Sequence, residues 1–478
     1  MDSIKITYHI RENKVLKYSI IGILSLILGL ISGISSLFPL WLPFFCLGIL
    51  VLLFIVLAQL VSINQLIMFS FMGMLFFLPF QELPQWDLGV FTLKLSQFFL
   101  FLILIISIIR LLLRFKDGKV YYIKTPVDLP ILFFALSTIA ACYYSTYLNS
   151  SLRMIIVLLL LFVAYQVTYH LLDDKEKINK AINIILLSSS TVSLYGIHQY
   201  LMHFLGKGGR VWFYSSALGD LIPKIESVSN PNQFSNYLLV CIPLTITMLF
   251  YEKKGFKKTI LITVTLINLL ALMLTYSRGA ILGLFSALAV LFIYQKTKIM
   301  KLIKIVLFTL LLVWILNFLV NWHSLNIRIA SIFDLASEAN QERITLHKTA
   351  LTMLAEHPII GVGIGNFRFL FSLERPIDIH NTLLQIWVEN GTIGLIFFIW
   401  ILERFFRNMV KALKITKDIY WRGIILGITA SAVGIFVQSV TEYILYAMHV
   451  WVLLGIGLAV CRVSSTTDKQ YIKSNLLK

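Results

Sequence analysis

A histidine followed by an asparagine opens the stretch HNTLLQIWVENGTIG, His380 to Gly394, where a long polar segment gives way to an apolar run. An imidazole takes up and releases a proton near neutral pH, so a histidine held at a membrane surface suits general acid/base work. His380 is the candidate catalytic residue. An interfacial histidine with its polar tip in water is the competing account. Asn381 is placed to cap the helix that follows, its side-chain oxygen accepting an orphan amide of the first turn. Arg278, in TYSRGA, stands where one apolar run ends and the next begins. A permanent guanidinium at that depth is costly without a cavity or a partner, and it forks onto phosphate oxygens. Arg343 falls in the first turn of a helix predicted within the polar segment. Together with His380 the two arginines form a constellation suited to an anionic substrate. Snorkelling to headgroups for Arg278, and a surface ion pair with Glu342 for Arg343, are the plainer readings.

Three acids are supporting candidates beside Asn381. Asp378, two residues before His380, either orients the imidazole or is a solvated loop carboxylate. Glu389 and Glu442 lie within or at the end of apolar runs, where an acid either serves a site or pairs with an arginine. Arg328, Arg368, Arg375, Lys207 and Arg210 are further cations in polar segments. Asn230 and Asn232, in NPNQF, are read as caps of the next span. Tyr195, His198 and Tyr200 either line a cavity or belong to an interfacial aromatic belt. His347 and His357 have no supporting pattern. There is no HExxH, no DxD, no clustered Cys/His and no Walker motif, so neither a metal nor a nucleotide cofactor is expected. A reaction at this place needs a substrate that arrives activated.

The elements that must hold these residues follow from composition. The chain has 478 residues, 58% hydrophobic and only 13% charged, against about a quarter charged in a soluble protein. Apolar runs long enough to span recur along it and are continuous rather than alternating, which predicts an all-α polytopic membrane bundle. Spans are expected near 18–35, 37–58, 62–80, 94–113, 128–147, 152–172, 178–204, 231–251, 258–276, 279–295, 302–321, 381–402, 421–440 and 443–462, so about 12–14 in all. The basic N-terminus leads into the first of them, so no cleavable signal is expected. Cys46, Cys142, Cys241 and Cys461 are read as small core residues.

With both termini inside, 30 of the 41 Lys and Arg fall in inner segments. That asymmetry sets the orientation and explains the net charge of +18 without nucleic acid. Lys253, Lys254, Lys257 and Lys258 are anchors on a lipid face. Two outer loops then stand out, 205–230 and 322–380. In the larger, a helix over Asn340–His357 is expected to bury Ile344, Leu351 and Leu354, with Pro358 ending it and GVGIGNF forming a glycine-rich turn. The organisation predicted is 1–175 for the N-terminal spans, 176–321 for central spans, 322–380 for a small helical extracytoplasmic cap, and 381–478 for the closing spans and tail.

These motifs resemble the O-antigen ligase/polymerase superfamily of bacterial membrane glycosyltransferases. His380-Asn381, nine residues, then GTIG at 391–394 is similar to its histidine motif, and SRGA at 277–280 to its span-end arginine motif. Arg343 followed by EHPIIGVGIGNF at 356–367 is similar to its long-loop motif. The likeness covers about 180–460, while the first 150 residues match in hydropathy alone. It implies an inverting, metal-independent enzyme of the bacterial inner membrane. The donor implied is a polyprenyl diphosphate-linked glycan, passed to a glycan acceptor, with membrane lipid, a flippase and a chain-length regulator as partners. In that picture Arg278 and Arg343 hold the diphosphate and His380 takes the acceptor's proton. Asp378 and Glu442 have no counterpart in the family pattern. Lys outnumbers Arg 27 to 14, a usage typical of low-GC bacteria, which favours a polymerase of capsule or teichuronic-acid type over a ligase to lipid or protein. A lipid-linked oligosaccharide transporter is the alternative of another class. Such a protein is expected to show repeat symmetry or spans broken at mid-depth, and neither is evident in the sequence.

Overall fold

The computed structural model describes residues 62–81, 85–87, 92–113, 124–215, 221–252, 255–294, 311, 338–374 and 376–476. The expected spans at 18–35, 37–58 and 302–321, and Cys46, Arg328 and Arg375, lie outside those residues, apart from the single helical residue Leu311. The chain divides into two compact units, Met1–Tyr122 and Ile123–Lys478.

In the first unit, α1 (Ile63–Phe76) and α2 (Leu95–Leu113) pack together, with a short antiparallel hairpin of β1 (Gln85–Asp87) and β2 (Thr92–Lys94) between them in sequence. Ser62 and Gln65 start α1 with a capping box. Phe77 stacks on Phe99 at 5.6 Å between ring centroids.

The second unit is a helical bundle. It contains α3 (Asp128–Ala141), α4 (Leu148–Leu171), α5 (Lys175–Phe204), α6 (Pro231–Tyr251), α7 (Phe256–Leu274) and α8 (Arg278–Tyr294). Then follow α9 (Glu338–Glu356), α10 (Phe367–Phe371), α11 (Thr382–Ile415), α12 (Ile419–Gln438) and α13 (Met448–Leu476). Among the described residues, seven helices are long and apolar enough to cross a membrane: α4, α5, α6, α7, α11, α12 and the Met448–Thr466 part of α13. Continuous apolar sequence makes them helices because lipid offers no partner for an open backbone group. α12 packs on α6 and α8, α13 on α4, and α3 on α11. α8 and α12 cross closely at Gly283 and Gly434, where a Cβ on Gly283 would come within 2.5 Å of the Gly434 carbonyl oxygen. That crossing holds α8, and so Arg278 at its first position, against α12.

Three expectations change. Residues 205–230 were expected as a plain loop, but they carry an antiparallel hairpin of β3 (Val211–Ser215) and β4 (Leu221–Ile225). The last span starts at Met448 rather than 443, because 439–447 is irregular and carries Glu442. The helix of the cap runs Glu338–Glu356 and buries Leu346, Ala350 and Leu354, while Ile344 and Leu351 are exposed. The buried stripe keeps the i, i+4 spacing but is rotated from the one expected, because its partners Phe367, Ile379 and Val388 lie on one side only.

The cap is fastened to α11 by backbone. Gly391 (φ 66°, ψ −175°) breaks that helix internally. The break frees carbonyls and amides that the preceding loop takes up. Val362 N–H donates to Val388 O at 3.0 Å and Gly363 N–H to Glu389 O at 3.0 Å. In return Thr392 N–H donates to Pro358 O at 3.0 Å and Ile393 N–H to Ile359 O at 3.3 Å. The next residues of the turn are fixed to the start of α4. Asn366 accepts from Tyr147 N–H at 2.8 Å and donates to Ser145 Oγ (2.8 Å) and Ser151 Oγ (2.7 Å). The glycine-rich turn is thus a clasp that joins cap and bundle without burying an open backbone group.

Candidate active site

His380 sits on the link between cap and span. Its backbone is left-handed (φ 55°), which a non-glycine residue adopts only when its surroundings enforce it. Both neighbours are tied down. Ile379 N–H donates to Gln385 Oε1 at 2.7 Å, and the Ile379 side chain is wholly buried in the cap core. Asn381 caps α11 as expected, accepting from Leu384 N–H at 3.1 Å. Thr382, one residue on, donates its N–H to Ser439 O at 2.8 Å and its hydroxyl to Glu442 O at 2.7 Å.

Those bonds bring the 439–447 loop beside the imidazole. His380 Nδ1 faces Glu442 Oε1 at 3.7 Å. The imidazole is about a third exposed and the Glu442 carboxylate mostly buried, with 32% and 12% of the side chains accessible. The other carboxylate oxygen accepts from Asn232 Nδ2 at 2.8 Å. The carboxylate beside His380 is therefore that of Glu442. Asp378 turns elsewhere: its Oδ1 lies 4.0 Å from Arg368 Nε and accepts from Gln385 Nε2 at 3.4 Å. Burial pushes the Asp378 carboxyl above the usual carboxylate range, and the charges of Arg368 and His380 act against that shift. Asn232, read from the sequence as a cap, instead holds Glu442. Asn230 does cap α6, accepting from Gln233 N–H at 3.0 Å.

Glu389 is fully buried in the clasp, accepting from Gln385 Nε2 at 2.9 Å and lying against the backbone of Gly365 and Phe367. It faces the turn, not an open cavity. Gln385 reaches Ile379, Asp378 and Glu389 at once.

Arg278 is tied to α9, the helix that carries Arg343. Arg278 Nη2 donates to Asn340 Oδ1 at 2.9 Å, three residues before Arg343. One turn beyond Arg343 stands His347, which feels the charges of both Arg343 and His380 and lies against the Ile379 backbone. Burial, helped by the Arg343 charge and opposed by a bond to the Ile379 backbone, holds the His347 pKa below the ordinary histidine value of 6.5. Arg278 is thus tied to the first turn of α9, and His347 of the same helix lies against the backbone of the residue before His380. Arg210, another cation considered, pairs with Glu226 at 2.8 Å on the β3–β4 side. Tyr200 is buried and Tyr195 exposed.

His347 had no supporting pattern in the sequence. Its signal was the four-residue spacing from Arg343, which puts both on one helix face. Gln385 had the same relation to Glu389. The pairing of Glu442 with Asn232 joins residues more than two hundred positions apart and leaves no local trace.

An apolar groove lies along α11, α12 and α13. Phe398, Phe405, Phe436, Trp451 and Leu454 line it, and Thr382 and Ser439 stand at the end nearest His380. Among the described residues, no group of three or more His, Cys, Asp or Glu is arranged to hold a metal ion.

A search of curated proteins finds no match. The family model described as O-antigen ligase matches residues 263–399, less than a third of the 478 residues, and that stretch contains Arg278, Arg343 and His380. Over that stretch the chain is similar to the O-antigen ligase family, and the seven candidate spans among the described residues agree with a membrane-embedded protein.

Proposed function

We propose that the protein transfers glycan repeats from a polyprenyl diphosphate donor to a glycan acceptor on the outer face of the bacterial cell membrane, as the polymerase of a surface polysaccharide. The observation that carries this reading is the imidazole of His380 beside the Glu442 carboxylate, in a fold that ties Arg278 to the arginine-bearing start of α9. Glu442 beside Nδ1 leaves Nε2 for the acceptor hydroxyl. As that oxygen attacks the anomeric carbon from the face opposite the leaving group, Nε2 takes its proton. The bond from the anomeric carbon to the diphosphate oxygen breaks, and the electron pair leaves with the diphosphate. Arg278 and Arg343 neutralise the charge that gathers there. One displacement inverts the anomeric centre. The imidazolium is stabilised by Glu442, in the way a carboxylate supports a histidine base. The apolar groove ending at Thr382 fits the isoprenoid chain of the donor.

The break in α11 corrects the expectation of unbroken spans, and a broken span is a feature of transporters. Here the loop backbone pairs with Val388, Glu389, Thr392 and Ile393 around the break, so the break serves as a clasp for the cap. That favours the enzyme over the transporter.

Replacing His380 by Ala, at unchanged membrane levels, is expected to abolish long polymer on a gel. Normal chain length would refute the catalytic assignment. Lipid-linked repeats trapped on the inner face would favour the transporter instead. Arg278→Lys is expected to fail as well, because a point charge does not reproduce the fork.

A further inference from the structure

Beneath Glu442, three buried polar side chains from three helices are joined in series. Asn236 of α6, Gln438 at the end of α12 and His449 of α13 are each no more than 3% exposed. Gln438 Nε2 lies 3.2 Å from Asn232 O, Asn236 Nδ2 lies 3.0 Å from Gln438 Oε1, and His449 Nε2 lies 2.5 Å from Asn236 Oδ1. Burying three such groups among apolar helices is expensive unless each is satisfied, and here each satisfies the next.

One atom fixes the direction of the whole series. The Asn232 carbonyl can only accept, so Gln438 must present its amide NH2 to it. Gln438 then turns its oxygen to Asn236, which must donate, and the Asn236 oxygen faces His449. His449 is therefore protonated on Nε2 and donates. At the other end the Asn232 side chain donates to Glu442, which carries the carboxylate facing His380. Gln438 also donates to Ser235 Oγ at 3.2 Å, and Ser235 donates to Asn232 O at 2.8 Å, so the first turn of α6 is held twice. Every donor points toward the carboxylate.

We propose that His449, Asn236 and Gln438 are positioning residues that fix Asn232, and through it the Glu442 carboxylate, against His380. This rests on the role given to Glu442 and His380 above. The relay ties the cap ends of α6, α12 and α13 to one atom pair, so a slip of any of these helices is felt at the imidazole. A misplacement of about 1 Å at a reacting group can cost up to ~100-fold in rate.

The test is a double-mutant cycle in cells carrying the full chain, read as incorporation of radiolabelled glucose into long-chain surface polymer per unit of membrane-inserted protein. His449→Leu is expected to lower incorporation about 10-fold. His449→Gln, whose amide nitrogen donates from nearly the place of Nε2, is expected to restore it to within about twofold of wild type. In a Glu442→Gln background, His449→Leu is expected to add less than about a twofold loss, because its effect passes through Glu442. An undiminished loss in that background, or no rescue by Gln, would mean that His449 only stabilises the bundle, and the relay would be refuted. If Glu442→Gln lowers incorporation while His449→Leu alone leaves it unchanged, the relay fails and the role of Glu442 stands. If Glu442→Gln itself changes nothing, the role of Glu442 fails and takes the relay with it. Should His449→Leu fall short of wild-type membrane levels, Gln438→Met, which deletes all three amide bonds at equal length, replaces it in the cycle.

Discussion

Glu389 and Glu442 are two carboxylates near the start of α11, and they are held in opposite ways. Glu389 is wholly enclosed, one oxygen accepting from Gln385 and the carboxylate lying against the backbone of the glycine-rich turn. Glu442 keeps one oxygen for Asn232 and turns the other to an imidazole that water can reach. The first belongs to a seam of exchanged backbone bonds around Gly391, the second to a loop without regular structure between two spans. The difference teaches that an acid near a membrane site is not thereby part of its chemistry. What separates the two is whether the carboxylate faces closed backbone or an accessible titratable group.

The largest expected effect breaks the seam. A Cβ at Gly391 would lie 2.1 Å from the Ile359 carbonyl oxygen, in a backbone conformation side chains rarely adopt. Gly391→Ala is expected to cost about 3–4 kcal/mol, read as loss of the folded protein by thermal melting in detergent. The contrast itself is sharpened by exchanging each acid for its amide. Glu442→Gln is expected to lower polymer formation about 10- to 100-fold with an unchanged melting temperature. Glu389→Gln is expected to do the reverse, lowering stability by about 1–3 kcal/mol while the protein that remains folded keeps its activity. Equal behaviour of the two variants would erase the distinction.

A weaker effect concerns His347. Its pKa is below 6.5 in the fold, so the folded protein binds fewer protons there than the unfolded chain as pH falls from 6.5 to the lowered value. Stability is therefore expected to be fully present above pH 6.5 and to decline through that window as acid is added. His347→Gln should flatten the decline in melts taken across the range. The smallest effect is that of the cap residue. Asn381→Ala removes a single bond to Leu384 N–H and is expected to cost ~1 kcal/mol.

Much of the bundle is legible in the sequence because lipid leaves a continuous apolar run little choice but a helix. The same holds for Asn381 and Asn230, whose caps depend on their own backbone neighbours. Arg278 and Arg343 are legible as residue types out of place in their surroundings, and the bond from Arg278 to Asn340 on the helix of Arg343 needed the fold. What was illegible depends on contacts distant in sequence. Asp378 looked like the partner of His380 because it is two residues away, yet its side chain goes to Arg368 and Gln385, and Glu442 arrives from a different loop. The break at Gly391 was hidden because GTIG reads as the start of ordinary helix unless the loop that mends it is in view. The β3–β4 hairpin was missed because its strands are only five residues each.

The left-handed backbone at His380 has a consequence for how such proteins can change. A side chain in that region costs about 1–2 kcal/mol that glycine would not. On the role proposed for His380, drift toward sturdiness alone would empty position 380 of its imidazole and take the transfer reaction with it. On that reading, demand for the product is what keeps a histidine where the main chain is better suited by a residue with no side chain.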